Sequence, residues 1–244
     1  MTPPFLRFVD APSPNFDARK SVPDCVILHY TGMETGEAAL ARLCEPEAKV
    51  SAHYMVEEDG RIFRLVPEER RAWHAGAAFW KGVKDINSAS IGIEIVNPGH
   101  EFGYRPFPDA QIAAVINLLA DIRSRWTIDD DQIIGHSDIA PGRKIDPGEL
   151  FPWKRLAEAG HGLWVEPPPS PGAPLGQGEE GTGVFALQAG LTRLGYNCAP
   201  SGKYDAWTTT VVAAFQRHWL QTRFDGVADG ETRARLVALL RAAG

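Results

Sequence analysis

Fourteen residues constrain this 244-residue chain more than any other stretch: Gly135-His136-Ser137-Asp138-Ile139-Ala140-Pro141-Gly142-Arg143-Lys144-Ile145-Asp146-Pro147-Gly148. They follow the apolar pair Ile133-Ile134, so His136 falls at a strand end. Two prolines and three glycines argue against a regular helix and predict a tightly shaped loop. The loop carries an imidazole (His136), a fixed cation (Lys144) and a carboxylate (Asp146). Lys144 and Asp146 are two apart, so in extended backbone they point to the same side. One more imidazole and one base from elsewhere would complete a hydrolytic zinc site.

The chain supplies candidates for both. Cys25–Tyr30 is a nearly continuous apolar run, which suits a strand buried on both faces, and its end exposes His29. Residues 36–44 have helical periodicity. Residues 51–56 and 61–66 read as a hairpin about Glu58-Asp59-Gly60. In the strand Ile91–Val96 the isoleucines share one face, which leaves Glu94 on the other beside Gly92. Residues 110–125 form an amphipathic helix, and a terminal helix starts near Phe151. Residues 1–21 are Pro-rich and polar and are expected to be an irregular arm; Trp73 begins a long loop.

Residues 162–182, with Pro167-Pro168-Pro169, Pro171 and Pro174, read as a linker. Beyond it, 184–194, 205–219 and 231–240 read as three short helices, which predicts a catalytic domain over 1–161, a linker over 162–182 and a small three-helix domain over 183–244. The linker makes the second domain either a tethered binder or a unit that packs against the groove and shapes it. A net charge of −6 argues against nucleic-acid binding. Cys25, Cys44 and Cys198 are not closely spaced and are expected to be free thiols. The N-terminus lacks a secretory pattern and no apolar stretch is long enough to span a membrane, so a cytoplasmic location is expected.

Catalytic zinc takes three protein ligands and leaves a position for water. His29, His136 and Asp146 are the candidates, all at strand ends or in the attached loop. Glu94 is the candidate proton carrier; the competing reading is a salt bridge on an edge strand. Lys144 is the candidate oxyanion stabiliser, against the reading of a solvated loop lysine.

Six ordered motifs then carry a resemblance: Val26-Ile27-Leu28-His29-Tyr30-Thr31, Ser51-Ala52-His53-Tyr54, Ala72-Trp73-His74-Ala75-Gly76, Ser90-Ile91-Gly92-Ile93-Glu94, Gly135-His136-Ser137-Asp138 and Pro141–Gly148. Over residues 5–160 the chain resembles N-acetylmuramoyl-L-alanine amidases of the AmpD/AmiD type, in the peptidoglycan-recognition-protein superfamily. Residues 183–240 are similar to the three-helix peptidoglycan-binding domain. The resemblance implies an α/β fold, a central mixed β-sheet flanked by helices, with a small all-α C-terminal domain. It implies one Zn2+ per chain on His29, His136 and Asp146, Glu94 as acid/base and Lys144 as transition-state stabiliser. Tyr30, Trp73, His74, Asn87 and Arg143 fall where the family lines its substrate groove. His53 is expected in the core or beside the site, and His100, His161 and His218 on the surface or in packing.

The implied reaction hydrolyses the amide between N-acetylmuramic acid, or its anhydro form, and L-alanine. The partner is therefore peptidoglycan or a muropeptide, and a monomer is expected. Two rivals stand beside it: a non-catalytic peptidoglycan receptor on the same fold, and a zinc peptidase acting on stem peptides. The peptidoglycan-binding domain also favours a periplasmic location as the alternative.

Overall fold

Apolar β-branched runs become the inner strands of one sheet. The computed structural model describes residues 6 and 8–243. In chain order it has β1 (Phe8–Asp10), β2 (Phe16–Ala18), β3 (Cys25–Tyr30), α1 (Gly36–Cys44), β4 (Tyr54–Val56), β5 (Ile62–Arg64), β6 (Arg70–Ala72), α2 (Ile86–Ala89), β7 (Ser90–Ile95), α3 (Gly99–Phe102), α4 (Asp109–Arg123), β8 (Ile133–Gly135), α5 (His136–Ile139), α6 (Trp153–Glu158), α7 (Thr182–Leu194), α8 (Ala206–Trp219) and α9 (Gly230–Ala242). The six-stranded sheet has the order β1-β5-β4-β7-β3-β8 and is mixed: β4 and β5 are antiparallel and the other neighbours parallel. This is the expected α/β architecture.

Two local expectations are corrected. The N-terminal arm is not wholly irregular, because β1 pairs with β5 and β2 with β6; residues 1–5 lie outside the described part. The loop after β8 starts with one turn of helix, α5, since its prolines and glycines begin only at Pro141. Cys25, Cys44 and Cys198 are free, as expected.

Alternation along the strands builds two cores. Val26 and Leu28 of β3 and Ile91, Ile93 and Ile95 of β7 face α4, whose Ile112, Val115, Leu118, Leu119 and Ile122 are buried against them. Cys25 and Ile27 face the other way. There they join Trp80, Ile134, Ile139 and Ala140 in a cluster with Leu187, Leu191, Tyr196, Val211, Phe215 and Trp219 of the C-terminal helices. Helix α1, capped by the Thr35 hydroxyl accepting from the Ala38 N–H (3.1 Å), covers the same sheet face further along through Ala39 and Leu43.

The C-terminal helices use one device twice. Asp205 and Asp229 cap α8 and α9, and Thr208 and Thr232 each donate a hydroxyl to their cap (2.8 Å both). Buried Gln188 and Gln216 then donate to those threonine hydroxyls at 2.9 and 3.1 Å. The unit is docked on the sheet. Trp80 packs edge-on to Tyr196 with ring centres 5.1 Å apart, and Gln221 Nε2 donates to the carbonyls of Glu149 and Phe151 at 2.9 and 2.6 Å. The Pro-rich stretch lies along it: Leu163, Trp164, Val165 and Leu175 pack on the shared cluster.

Ending the chain after Glu166 would therefore expose Trp80, Ile134 and Ile139. Each large apolar side chain exposed forfeits about 1.5–3 kcal/mol. The expected outcome is insoluble protein or a melting temperature lower by about 10–35 °C. Thermal unfolding of the truncated chain checks this; an unchanged melting point would show that the interface contributes nothing.

Candidate metal centre and active-site groove

The register of the parallel strands assembles the centre. His29 is paired with Glu94 across β3 and β7, so both side chains leave the same sheet face at the same level. Leu28 is paired with Gly135 across β3 and β8, which delivers His136 beside His29. The turns after α5 then bring Asp146 back. The Asp146 carbonyl accepts from the Ser137 N–H (2.9 Å), closing the loop on itself.

Three ligand atoms converge. His29 Nδ1 and His136 Nδ1 are 2.9 Å apart, and Asp146 Oδ2 lies 3.1 and 3.0 Å from them. All three residues are buried. The outward nitrogens decide what these contacts are. The Ser90 hydroxyl donates to the Ile86 carbonyl (2.6 Å), so Ser90 Oγ accepts from His74 Nε2 (3.2 Å). His74 Nδ1 is then bare and accepts from His29 Nε2 (3.0 Å), which leaves His29 Nδ1 without a proton. His136 Nε2 donates to the Ala75 carbonyl (3.0 Å), which likewise bares its Nδ1. Two bare imidazole nitrogens and a carboxylate oxygen thus face one another with no proton between them. A cation at their centre satisfies all three at once. A tetrahedral ion with bonds of about 2.0–2.1 Å holds its ligands about 3.3 Å apart, close to the spacing here. The residues fit a metal.

The environment sustains this state. Burial first, and then His29, lower His74 well below the usual imidazole range, so it stays a neutral acceptor. Burial, aided by His136, lowers His29 to about 4. A side chain at position 92 would obstruct the chain of bonds, because a Cβ there would stand 2.5 Å from His74 Cγ. Gly92→Ala should therefore push His74 off His29. The expected loss of metal affinity is about 10–100-fold, as for other outer partners of ligating histidines. Chelator competition measures it; unchanged affinity would remove His74 from that role.

Glu94 and Lys144 line the same cavity of about 420 Å³ with the three ligand residues. Glu94 Oε2 is buried and has no hydrogen-bond partner among the described residues. Burial, then the charge of Asp146, push its carboxyl well above the ordinary range, while Lys144 draws it back. A salt bridge on an edge strand does not describe it, since β7 lies between β4 and β3.

The residues expected in the groove divide. Tyr30, Trp73, His74 and Arg143 line the cavity. Tyr30 Oη lies 3.1 Å from His100 Nδ1 at the rim, and Arg143 Nη2 donates to the carbonyls of Ala75 and Ala77 at 2.7 Å each. Asn87 lies behind the wall: its Oδ1 accepts from the N–H groups of His74 and Ala75 at 3.0 and 2.8 Å and shapes that loop. His53 is buried in the core, with Nδ1 accepting from the Gly92 N–H at 2.9 Å.

Sequence reasoning passed over several members. Ser90 ends the imidazole chain, and Met33, Ala39, Arg42 and Leu43 form the wall opposite the loop. Asp138 and His218 are a buried pair 2.7 Å apart that crosses between the two parts of the chain. His218 is thus packed, as one of its two expectations had it, with its ring stacked between Trp153 and Trp219 at 3.7 Å each.

A His-His-Asp cluster, a buried carboxylate and a lysine in one groove define a metallohydrolase-type centre on a mixed sheet. Residues 19–149 match the family of N-acetylmuramoyl-L-alanine amidases, and residues 180–236 match a peptidoglycan binding domain. The chain is 37% identical over 239 residues to N-acetylmuramoyl-L-alanine amidase AmiD of Escherichia coli (strain K12), covering 90% of this chain and 83% of the relative. It belongs to the N-acetylmuramoyl-L-alanine amidase family. Among solved structures, E. coli AmiD in complex with the substrate anhydro-N-acetylmuramic acid-L-Ala-D-gamma-Glu-L-Lys superposes with a TM-score of 0.78 at 36% identity over 93% of both chains. AmpDh3 of Pseudomonas aeruginosa in complex with an anhydromuramic pentapeptide gives 0.75 at 30% identity over 91% of this chain and 92% of that one.

Proposed function

We propose that this chain hydrolyses the amide between the lactyl group of N-acetylmuramic acid, intact or anhydro, and L-alanine. One Zn2+ would be held by His29 Nδ1, His136 Nδ1 and Asp146 Oδ2. The observation that carries the reading is this triad of proton-free donor atoms 2.9–3.1 Å apart beside an unbonded Glu94 oxygen. A zinc ion bound there supplies an acidified water and Lewis-acid polarisation of the scissile carbonyl.

The chain's own residues do the rest. Glu94, whose carboxyl burial raises above its ordinary range, would accept the proton of the attacking water at its free oxygen and deliver it to the leaving amine. Lys144 presents a cation to the oxygen that gains charge. Arg143 is tied to two backbone carbonyls and braces the wall beside His136. Tyr30 and Trp73 offer faces for the sugar and peptide.

Incubation with an anhydromuramyl tripeptide tests the reaction. Release of the free sugar and the intact tripeptide is expected. A product in which sugar and alanine remain joined would make the protein a peptidase, and no product under zinc saturation would favour a receptor. Among the described residues no helix is long and apolar enough to cross a membrane. Cytoplasmic location would present soluble anhydromuropeptides, and periplasmic location the polymeric wall; fractionation of the host distinguishes them.

A further inference from the structure

Asp138 is fully buried and carries three hydrogen bonds. Its Oδ2 accepts from the Gly135 N–H (2.8 Å), which caps the single turn α5. The other two donors come from the C-terminal unit: His218 Nδ1 to Oδ2 at 2.7 Å and Tyr196 Oη to Oδ1 at 2.5 Å. Burial, then the Asp138 charge, hold the Tyr196 phenol well above its usual value, so it stays protonated and donates. His218 is fixed between the indoles of Trp153 and Trp219. Asp138 stands two residues from His136 in a turn of four residues, so whatever fixes Asp138 fixes the backbone that aims the His136 ring.

We propose that Tyr196 and His218 are positioning residues for the metal ligand His136, acting through Asp138. The C-terminal unit then completes the metal centre rather than merely carrying the protein to its substrate. A buried carboxylate stripped of partners is costly, so without these donors the turn must shift or Asp138 must find water. Either change disturbs the angle at which His136 Nδ1 meets the ion. The inference rests on the metal reading above.

The test uses the full chain. Zinc Kd is measured by competition with a chromophoric chelator, and the visible absorption band of the Co2+-loaded protein reports ligand geometry. Tyr196→Phe and His218→Ala should each weaken zinc by about 10-fold and alter the Co2+ band. His218→Gln keeps an N–H donor and should return both toward the wild type. Lower melting points with unchanged zinc affinity and an unchanged band would reduce the pair to a structural contact and overturn the proposal. If the variants do not fold, the wild type decides. Coupling is reciprocal, so zinc should slow amide exchange around His218 more than in α9; equal protection would overturn it. Failure of the metal reading is distinct, because the wild type would then bind no zinc.

Discussion

Asp146→Ala is expected to reduce bound zinc from one per chain toward none, and activity with it. Two bare imidazoles would remain, and the only anionic member of the ligand set would be gone. Removing an outer partner of a ligand typically weakens a metal about 10–100-fold; removing the ligand itself should exceed that. The chain should still fold, since Asp146 contributes its backbone carbonyl to the Ser137 bond independently of its side chain. Elemental analysis after dialysis, with circular dichroism beside it, gives the answer. Full zinc at full rate would strike Asp146 from the ligand set.

Glu94→Gln should separate binding from turnover. The substitution keeps the shape and removes the proton carrier, so zinc content should be unchanged while kcat falls about 10²–10⁴-fold. Lys144→Ala should lower kcat by about 10²–10³-fold through loss of an oxyanion partner. Rates are compared at matched zinc occupancy, so that a metal defect cannot pass for a catalytic one. Near-wild-type kcat in Glu94→Gln would send the search for the base elsewhere, because among the described residues no other carboxylate besides Asp146 lines that cavity.

The strands and the ligand types were legible because their signals are local. Cys25–Tyr30 and Ile91–Ile95 are apolar runs, and His29, Glu94 and His136 lie within or at the ends of such runs. That His29 and Glu94 stand side by side was not legible, because β7 and β3 are adjacent in the sheet though residues 31–89 of the chain separate them. The strands of the N-terminal arm were hidden by a Pro-rich composition that reads as irregular. The docking of the C-terminal helices was hidden by the same signal in the linker: prolines report backbone stiffness, not whether Trp164 or Leu175 finds a hydrophobic surface. Asp138, Tyr196 and His218 meet across 58 and 80 residues, and nothing in the spacing of three ordinary residues announces a buried contact.

The division of the metal ligands between sheet and loop has a mechanical consequence. His29 and Glu94 are set on adjacent strands whose separation is the ladder spacing of about 4.8 Å, and β7 is held on both sides. His136 and Asp146 hang on a turn and a loop at the sheet's edge strand. The centre is therefore a vice with one jaw machined into the frame and the other bolted to it through Asp138 and the Ser137–Asp146 bond. The gap between the proton carrier and its neighbouring ligand cannot drift when the groove admits a different sugar or peptide. Adjustment for a new substrate falls on the opposite wall of α1, and the chemistry stays in register while the grip changes.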